Sequence, residues 1–116
     1  MMSIQKQVQA LIDGVLAGKL LETFDKYYAD NVVMSENRKE ERVGKVANRE
    51  YEQKFLDNVQ EFHGAQVGRT IVDGDHAAVE WTFDLTFKGG NRVKMQQVAV
   101  QTWKDGKVIR EDFYHG

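Results

Sequence analysis

Glu111 is the acidic residue whose place in the sequence is best suited to chemistry. Strand pairing, derived below, puts it on an otherwise apolar sheet face beside Val100 and near Arg69. Burial disfavours the charged form of a carboxyl group, so such a residue can be tuned towards general acid or base catalysis. Two alternatives stay open: a structural ion pair between Glu111 and Arg69, or a position in water at an open mouth.

Other catalytic groups are absent or scattered. The chain has no Cys, which excludes disulfides, thiol nucleophiles and thiolate metal sites. His63, His76 and His115 lack the spacing of a metal-binding pair, and there is no Gly-rich phosphate loop or Ser-His-Asp motif. We therefore expect no metal and no cofactor. Any catalysis would be acid–base chemistry by carboxylates.

The composition is that of an ordinary globular domain. The 116 residues are 41% hydrophobic and 29% charged, and 16 Lys and Arg against 18 Asp and Glu give a net charge of -2. This predicts a single domain over residues 1–116.

The charge pattern and the lack of long apolar segments limit the possible partners. The lack of a basic cluster argues against a nucleic-acid partner. No segment reaches the ~18 apolar residues of a membrane span, and no signal peptide is recognisable, so we expect a cytoplasmic protein with no membrane partner.

Apolar residues at helical spacing dominate the first half of the chain. Ser3 can cap the first helix and Gly18 can end it. Tyr27, Tyr28 and Tyr51 lie in helical patterns, where packing is favoured over a role in a cavity. The expected elements are helices over residues 4–16, 20–28 and 46–58, a short strand over 32–36 and a charged surface loop over 37–42 that could cover a pocket.

From Glu61 the period of the apolar residues changes from 3.6 to 2. Hairpin signals at Asp73-Gly74-Asp75, Gly89-Gly90 and Asp105-Gly106 separate four long extended segments. Long strands twist and curl. The pattern predicts an α+β fold with three N-terminal helices packed on a strongly curved, mostly antiparallel sheet, which forms a cone.

Turn lengths predict which side chains share the hollow face of this sheet. We assume a three-residue turn at 73–75 and two-residue turns at Gly89-Gly90 and Asp105-Gly106. The resulting rows are Val67–Trp81–Val98–Phe113, Arg69–Val79–Val100–Glu111 and Ala65–Phe83–Gln96–His115. The apolar pattern changes parity between Met95 and Val98 and again before Trp103, which indicates a β-bulge.

These rows define a candidate ligand site. Its apolar walls are Trp81, Phe83, Val98 and Phe113, and its polar groups are Arg69, Gln96, Glu111 and Glu36, with His115 at the mouth unless the chain end is frayed. Apolar walls with few polar groups are typical of ligand cavities, so the expected partner is a small apolar organic molecule. Trp103 and Val108 are expected on the outer face.

The order of elements resembles the nuclear transport factor 2-like superfamily, and within it the SnoaL-like and ketosteroid-isomerase-like proteins. Phe24-Asp25-Lys26-Tyr27-Tyr28-Ala29-Asp30-Asn31-Val32-Val33 is similar to that group's entry into the first strand. Gly44, Val72-Asp73-Gly74-Asp75 and the segment 103–108 also match. The resemblance covers nearly the whole chain and implies a cystatin-like, cone-shaped α+β barrel and a homodimer.

The resemblance also implies a role for Glu36, which falls where ketosteroid isomerases place their catalytic base. A solvated strand-end role is an equal alternative. The oxyanion-hole tyrosine of those enzymes falls at Leu11 here, and their aspartic acid at Val98 or Ala99. Steroid isomerisation of the known type is therefore not expected. Two hypotheses remain: a cofactor-free isomerase, cyclase, hydratase or dehydratase using Glu36 and Glu111, or a non-catalytic ligand-binding or dimerisation module.

Overall fold

The computed structural model describes residues 3–116 and has an α+β fold, as expected from the sequence, with three helices and one six-stranded sheet. In chain order the elements are α1 (Ile4–Leu16), α2 (Leu20–Tyr27), β1 (Tyr28–Glu36), β2 (Glu40–Val43), α3 (Lys45–Asp57), β3 (Val59–Asp73), β4 (His76–Phe87), β5 (Arg92–Lys104) and β6 (Lys107–Tyr114). Within this part of the chain, no helix is long and apolar enough to cross a membrane.

The first helix begins and ends as the sequence predicts. Ser3 caps α1, because its side-chain oxygen accepts a hydrogen bond of 3.2 Å from the backbone amide of Lys6. Val8, Leu11 and Ile12 recur at helical spacing and are buried. Helix α1 therefore presents one apolar face to the rest of the molecule.

The charged segment after β1 is a hairpin rather than a simple loop, so the predicted loop over residues 37–42 was partly wrong. Asn37 and Arg38 have φ angles of 54° and 59°, which is the geometry of a tight type I′ turn. β2 returns antiparallel to β1, with Met34 opposite Arg42. The hairpin brings Arg42 back beside β1.

The strands are ordered β2-β1-β6-β5-β4-β3 in the sheet. β1 and β6 run parallel, and every other neighbouring pair is antiparallel. The last four strands form the expected meander. The parallel pair puts β1 beside the final strand, with Met34 opposite Glu111 and Glu36 opposite Phe113.

The predicted register between β4 and β5 was wrong by one residue. Trp81 lies opposite Gln97, not Val98, and Phe83 lies opposite Met95, not Gln96. The cause is the turn, which has three residues: the Phe87 amide donates to the Asn91 carbonyl at 2.9 Å. An odd shift moves alternate side chains to the other face of the sheet.

The register between β5 and β6 was also wrong by one residue, for a different reason. Lys104 pairs with Lys107 next to the turn, as expected, but the register shifts between Thr102 and Trp103. The extra residue is Ile109 of β6, which has no residue opposite it on β5, so the bulge predicted in β5 before Trp103 was placed in the wrong strand. Beyond this shift Gln101 lies opposite Glu111, and Ala99 opposite Phe113. The two errors cancel, so β6 presents the predicted side chains, Glu111 and Phe113, to the cavity side of the sheet.

The core lies between the helices and one face of the sheet. Trp103 and Val108 are 1% and 0% exposed, so their predicted outer position was wrong. The other buried apolar residues come from α1, α2 and the central strands, namely Val8, Leu11, Ile12, Phe24, Tyr28, Val32, Met34, Ala77, Val79, Trp81 and Ala99.

Candidate active site

A cavity of about 400 Å³ lies among the helices and strands. Its walls are largely aromatic and aliphatic, and a few acidic and amide side chains project into it. Such a mixture is usual for a small-molecule site. The aromatic members are Phe24, Tyr28, Tyr51, Phe55, Phe62, Trp81, Phe83 and Phe113, and the polar members are Thr23, Glu36, Glu52, Gln97 and Glu111.

Five of the residues that the sequence predicted for the ligand site line this cavity: Glu36, Trp81, Phe83, Glu111 and Phe113. The rings of Trp81 and Phe83 are stacked, with centroids 5.2 Å apart. Together they form a flat aromatic wall that could pack against a planar ligand.

Two other residues that were predicted to line the cavity, Gln96 and Val98, lie elsewhere. They project to the opposite face of the sheet, because the three-residue turn gives the inward positions to Met95, Gln97 and Ala99. The apparent change of parity after Met95 thus needs no bulge. It arises because Gln97, a polar residue, faces the cavity.

Arg69 was also placed wrongly. A register shift between Val67 and Thr70 puts Thr70, not Arg69, opposite Val79. The Arg69 side chain is 81% exposed and forms an ion pair of 2.9 Å with Glu80. The predicted pairing of Arg69 with Glu111 is therefore absent.

Glu111 is held by two hydrogen-bond donors and is only 2% exposed. The Tyr28 hydroxyl donates to Oε1 at 2.5 Å, and the Gln101 amide nitrogen donates to Oε2 at 2.8 Å. The Trp103 indole nitrogen donates to the side-chain oxygen Oε1 of Gln101 at 3.0 Å. Because an indole can only donate, this bond directs the Gln101 amide nitrogen towards Glu111.

Burial outweighs these donors and raises the pKa of Glu111 to about 7. The hydrogen bonds from Tyr28 and Gln101 lower it in part, and the charges of Glu36 and Asp112 raise it. At neutral pH the carboxyl group is therefore present in both forms, which is the property required of a general acid or base. Burial and the Glu111 charge raise the pKa of Tyr28 well above its usual value, so its hydroxyl stays protonated.

Glu52 is a second carboxyl group in the cavity, and sequence reasoning missed it. Among residues 3–116, no hydrogen bond or ion pair to its side chain is present. Burial first, and then the charge of Glu111, raises its pKa to about 7, while Arg42 lowers it. A signal was available: Glu52 stands four residues before Leu56 and three before Phe55 on the apolar face of α3.

Glu36 lies at the cavity rim, and both of its oxygens have partners. Arg42 pairs with Oε2 at 3.1 Å, and the His115 ring nitrogen lies 3.0 Å from Oε1. Arg42 also stacks on the ring of Tyr51, 3.6 Å from its centroid. His115 therefore meets the rim through Glu36 and is not among the residues that line the cavity.

Tyr28 combines the two roles that the sequence left open. Its ring is 7% exposed and stacks on Phe24 with centroids 4.6 Å apart. Its hydroxyl nevertheless reaches Glu111. Packing, which the helical pattern favoured, is therefore only part of its role.

In the described part of the chain, no group of three His, Asp or Glu side chains has an arrangement that could hold a metal ion.

The model of the SnoaL-like domain family matches residues 2–115. The chain belongs to the SnoaL-like family. It therefore has the fold of the nuclear transport factor 2-like superfamily, which the sequence resemblance predicted. Among curated proteins, none matches this chain in sequence.

Solved structures agree with this assignment. A protein from Mesorhizobium loti, provisionally assigned as a SnoaL-like polyketide cyclase [carbohydrate phosphatase], is 32% identical with a TM-score of 0.88, over 98% of this chain and 100% of that one. Less similar in sequence is TerC, co-crystallised with polyporic acid (16% identity, TM-score 0.77, 96% and 89% coverage). A ketosteroid isomerase-like protein from Catenulispora acidiphila, in complex with trimethylamine, shares 10% identity with a TM-score of 0.76 over 91% and 85% of the two chains.

Proposed function

We propose that this SnoaL-like protein is a cofactor-free acid–base enzyme that acts on an apolar organic compound bound in the cavity. The observation that carries the proposal is the placement of Glu111. It is a buried carboxyl group, fixed by two donors, that opens onto an aromatic cavity of about 400 Å³. Isomerisation, cyclisation, hydration and dehydration can each be catalysed by such a group acting as a general acid or base.

Glu111 suits the role of general base. Tyr28 and Gln101 each use one lone pair on its oxygens, and a carboxylate oxygen keeps a second. The two donors stabilise the carboxylate and hold it in one orientation. A proton taken from a bound substrate would be received at Glu111 and later returned. Trp103 supports this arrangement indirectly, by orienting Gln101.

The cavity walls favour a flat, apolar ligand. Trp81 and Phe83 offer a stacked aromatic surface, and Phe113 lies on the neighbouring face of the cone that we propose for the sheet. The ligands of two structural neighbours, polyporic acid and trimethylamine, are small organic molecules, which supports a small organic ligand but not its planarity or polarity. Planar bicyclic ketones are suitable probes.

Glu36 has a lesser role in this proposal. Its oxygens are already engaged by Arg42 and His115, so a substrate would have to displace a partner to reach it. We propose that Glu36 and Arg42 stabilise the rim, with His115 beside them.

We also propose a single domain over residues 1–116 and a homodimer. The homodimer rests on the family resemblance, and light scattering that finds only monomer at high concentration would contradict it.

Binding and catalysis can be tested separately. Quenching of Trp81 fluorescence by 2-tetralone and 2-indanone measures binding, with Trp81→Phe as the control for the signal. Proton NMR in deuterated buffer measures exchange of the ketone α-protons. We expect the wild-type protein to accelerate exchange, and Glu111→Gln to reduce the rate by about 100-fold while binding persists.

The alternative function is a non-catalytic ligand-binding module with the same fold. Quenching without any acceleration of exchange would favour it over the enzyme. The absence of both binding and exchange would favour a module with a closed cavity that serves only assembly.

A further inference from the structure

Glu52 is the one carboxyl group that opens into the cavity without a partner in the described part of the chain. It lies on α3, between Tyr51 and Phe55 along the cavity wall. Arg42, the nearby cation, is occupied by Glu36, Asn48 and the ring of Tyr51. A carboxyl group without a cation or a donor in apolar surroundings is more stable neutral than charged.

Glu52 and Glu111 face the same cavity from different elements. Glu111 on β6 receives two hydrogen bonds, which favour its charged form, whereas Glu52 receives none. When the pair holds one proton, these surroundings place that proton on Glu52 and leave Glu111 as the carboxylate. The titratable or charged groups that act on Glu52 are Glu111 on β6, Arg42 on β2, Glu36 and Tyr28 on β1, and Tyr51 on α3.

Glu52 is also the one carboxylic acid without a partner among the described residues that line the cavity, and the hydroxyl and amide groups of Thr23, Tyr51 and Gln97 are far weaker acids. Leu11, together with Val98 or Ala99, occupies the positions where the sequence resemblance would place the donors to an oxyanion. Leu11 lines the cavity and offers only carbon. The Tyr28 hydroxyl donates to Glu111. A substrate oxygen at the α3 side of the cavity would instead meet the Glu52 carboxyl group.

We propose that Glu52 is the general acid of this site and that the substrate is an enolisable ketone or aldehyde whose carbonyl oxygen points to α3. This inference rests on the proposed function of Glu111. The Glu111 carboxylate removes a proton from the α-carbon, and the C–H electron pair forms the C=C bond. The carbonyl π electrons move to oxygen, which takes the Glu52 proton to form the enol. Reversal of both transfers regenerates the ketone, so no co-reactant is needed.

The exchange assay with 2-tetralone and 2-indanone tests this role through three variants. Glu52→Gln keeps the shape of the side chain but cannot transfer a proton. Glu52→Asp keeps the acid. Glu50→Gln is the matched control, because it makes the same chemical change on the same helix at an exposed position. Thermal unfolding and Trp81 quenching establish that each variant folds and binds.

We expect the wild-type rate to peak near neutral pH and to fall at high pH as Glu52 loses its proton. Glu52→Gln should lower the rate by about 100-fold and abolish the fall at high pH. Glu52→Asp should retain that fall, and Glu50→Gln should match the wild-type protein in rate and pH profile.

Each contrary result has a separate meaning. If Glu111→Gln loses exchange but Glu52→Gln matches the wild-type protein, the role of Glu52 is wrong and the proposed function stands. If Glu52→Gln is slow but keeps the wild-type fall at high pH, Glu52 is not the proton donor. If the wild-type protein accelerates exchange of neither ketone, both proposals are overturned.

Discussion

Replacing Glu111 with Gln should stabilise the protein at alkaline pH and change little at acidic pH. The neutral carboxylic acid and the amide have nearly the same shape, so Gln imitates the protonated side chain. Burial raises the pKa of Glu111 in the folded protein to about 7. Its pKa in the unfolded chain is the ordinary value of 4.5. Ionisation of this residue therefore opposes folding.

The sign and size follow from linkage. A raised pKa in the folded state gives stability that is fully present below the unfolded pKa and is lost as pH rises through the folded value. A shift from 4.5 to about 7 in the folded protein corresponds to about 3 kcal/mol in the free energy of unfolding, since one pKa unit is worth ~1.4 kcal/mol. The wild-type protein should lose about this much between roughly pH 4.5 and 9 from Glu111 alone.

Urea unfolding of both proteins from about pH 5 to pH 9 measures the difference. We expect agreement within about 1 kcal/mol at the acidic end, and greater stability for Glu111→Gln by about 2 to 3 kcal/mol at the alkaline end. Glu50→Gln, on the exposed side of α3, should show no such pH dependence. A constant difference across the range, or a less stable Glu111→Gln at high pH, would refute the argument that burial dominates at this site.

Two further predictions concern neighbouring features. Gln101→Leu removes a donor to Glu111, so the pKa of Glu111 should rise further, as a carbon-detected NMR titration of the carboxyl group would report; an unchanged or lower pKa would contradict the assigned hydrogen bond. Gly14→Ala should cost about 1 to 3 kcal/mol in urea unfolding, because the added methyl group would collide with Thr23 where α1 approaches α2. Gly64→Ala is its control, since open space surrounds that position, and equal costs at both sites would disprove the steric explanation.

Sequence patterns were sufficient for most of the secondary structure, β2 excepted, because each pattern depends on neighbours along the chain. The cap at Ser3 is a contact within one helical turn. The alternation in residues 76–88 determines that Trp81 and Phe83 share one face, whichever strand lies alongside. These local rules correctly anticipated α1, the meander and part of the cavity wall.

Register was predicted less well, since it depends on single-residue details of turns and bulges. Gly89-Gly90 indicates a turn but does not distinguish two residues from three, and that difference moved Gln96 and Val98 to the other face. The register shifts near Arg69 and Trp103 had similar effects. The change of parity in β5 was misread as a bulge in that strand, because the buried residue Gln101 is polar, whereas the extra residue is Ile109 in β6. A shift of one residue costs little locally and changes every contact across the strand pair.

The amino-acid sequence by itself determined the class of fold and the family, because these follow from periodicity, turn residues and the order of the elements. Only the tertiary structure decided which carboxyl groups line the cavity and which donors surround them. Tyr28 and Gln101 meet Glu111 across 83 and 10 residues of chain, and Glu52 enters the cavity from a separate helix. The protonation of these acids depends on how much water and how many donors surround them, and that is set by packing between distant segments rather than by any neighbour in the sequence.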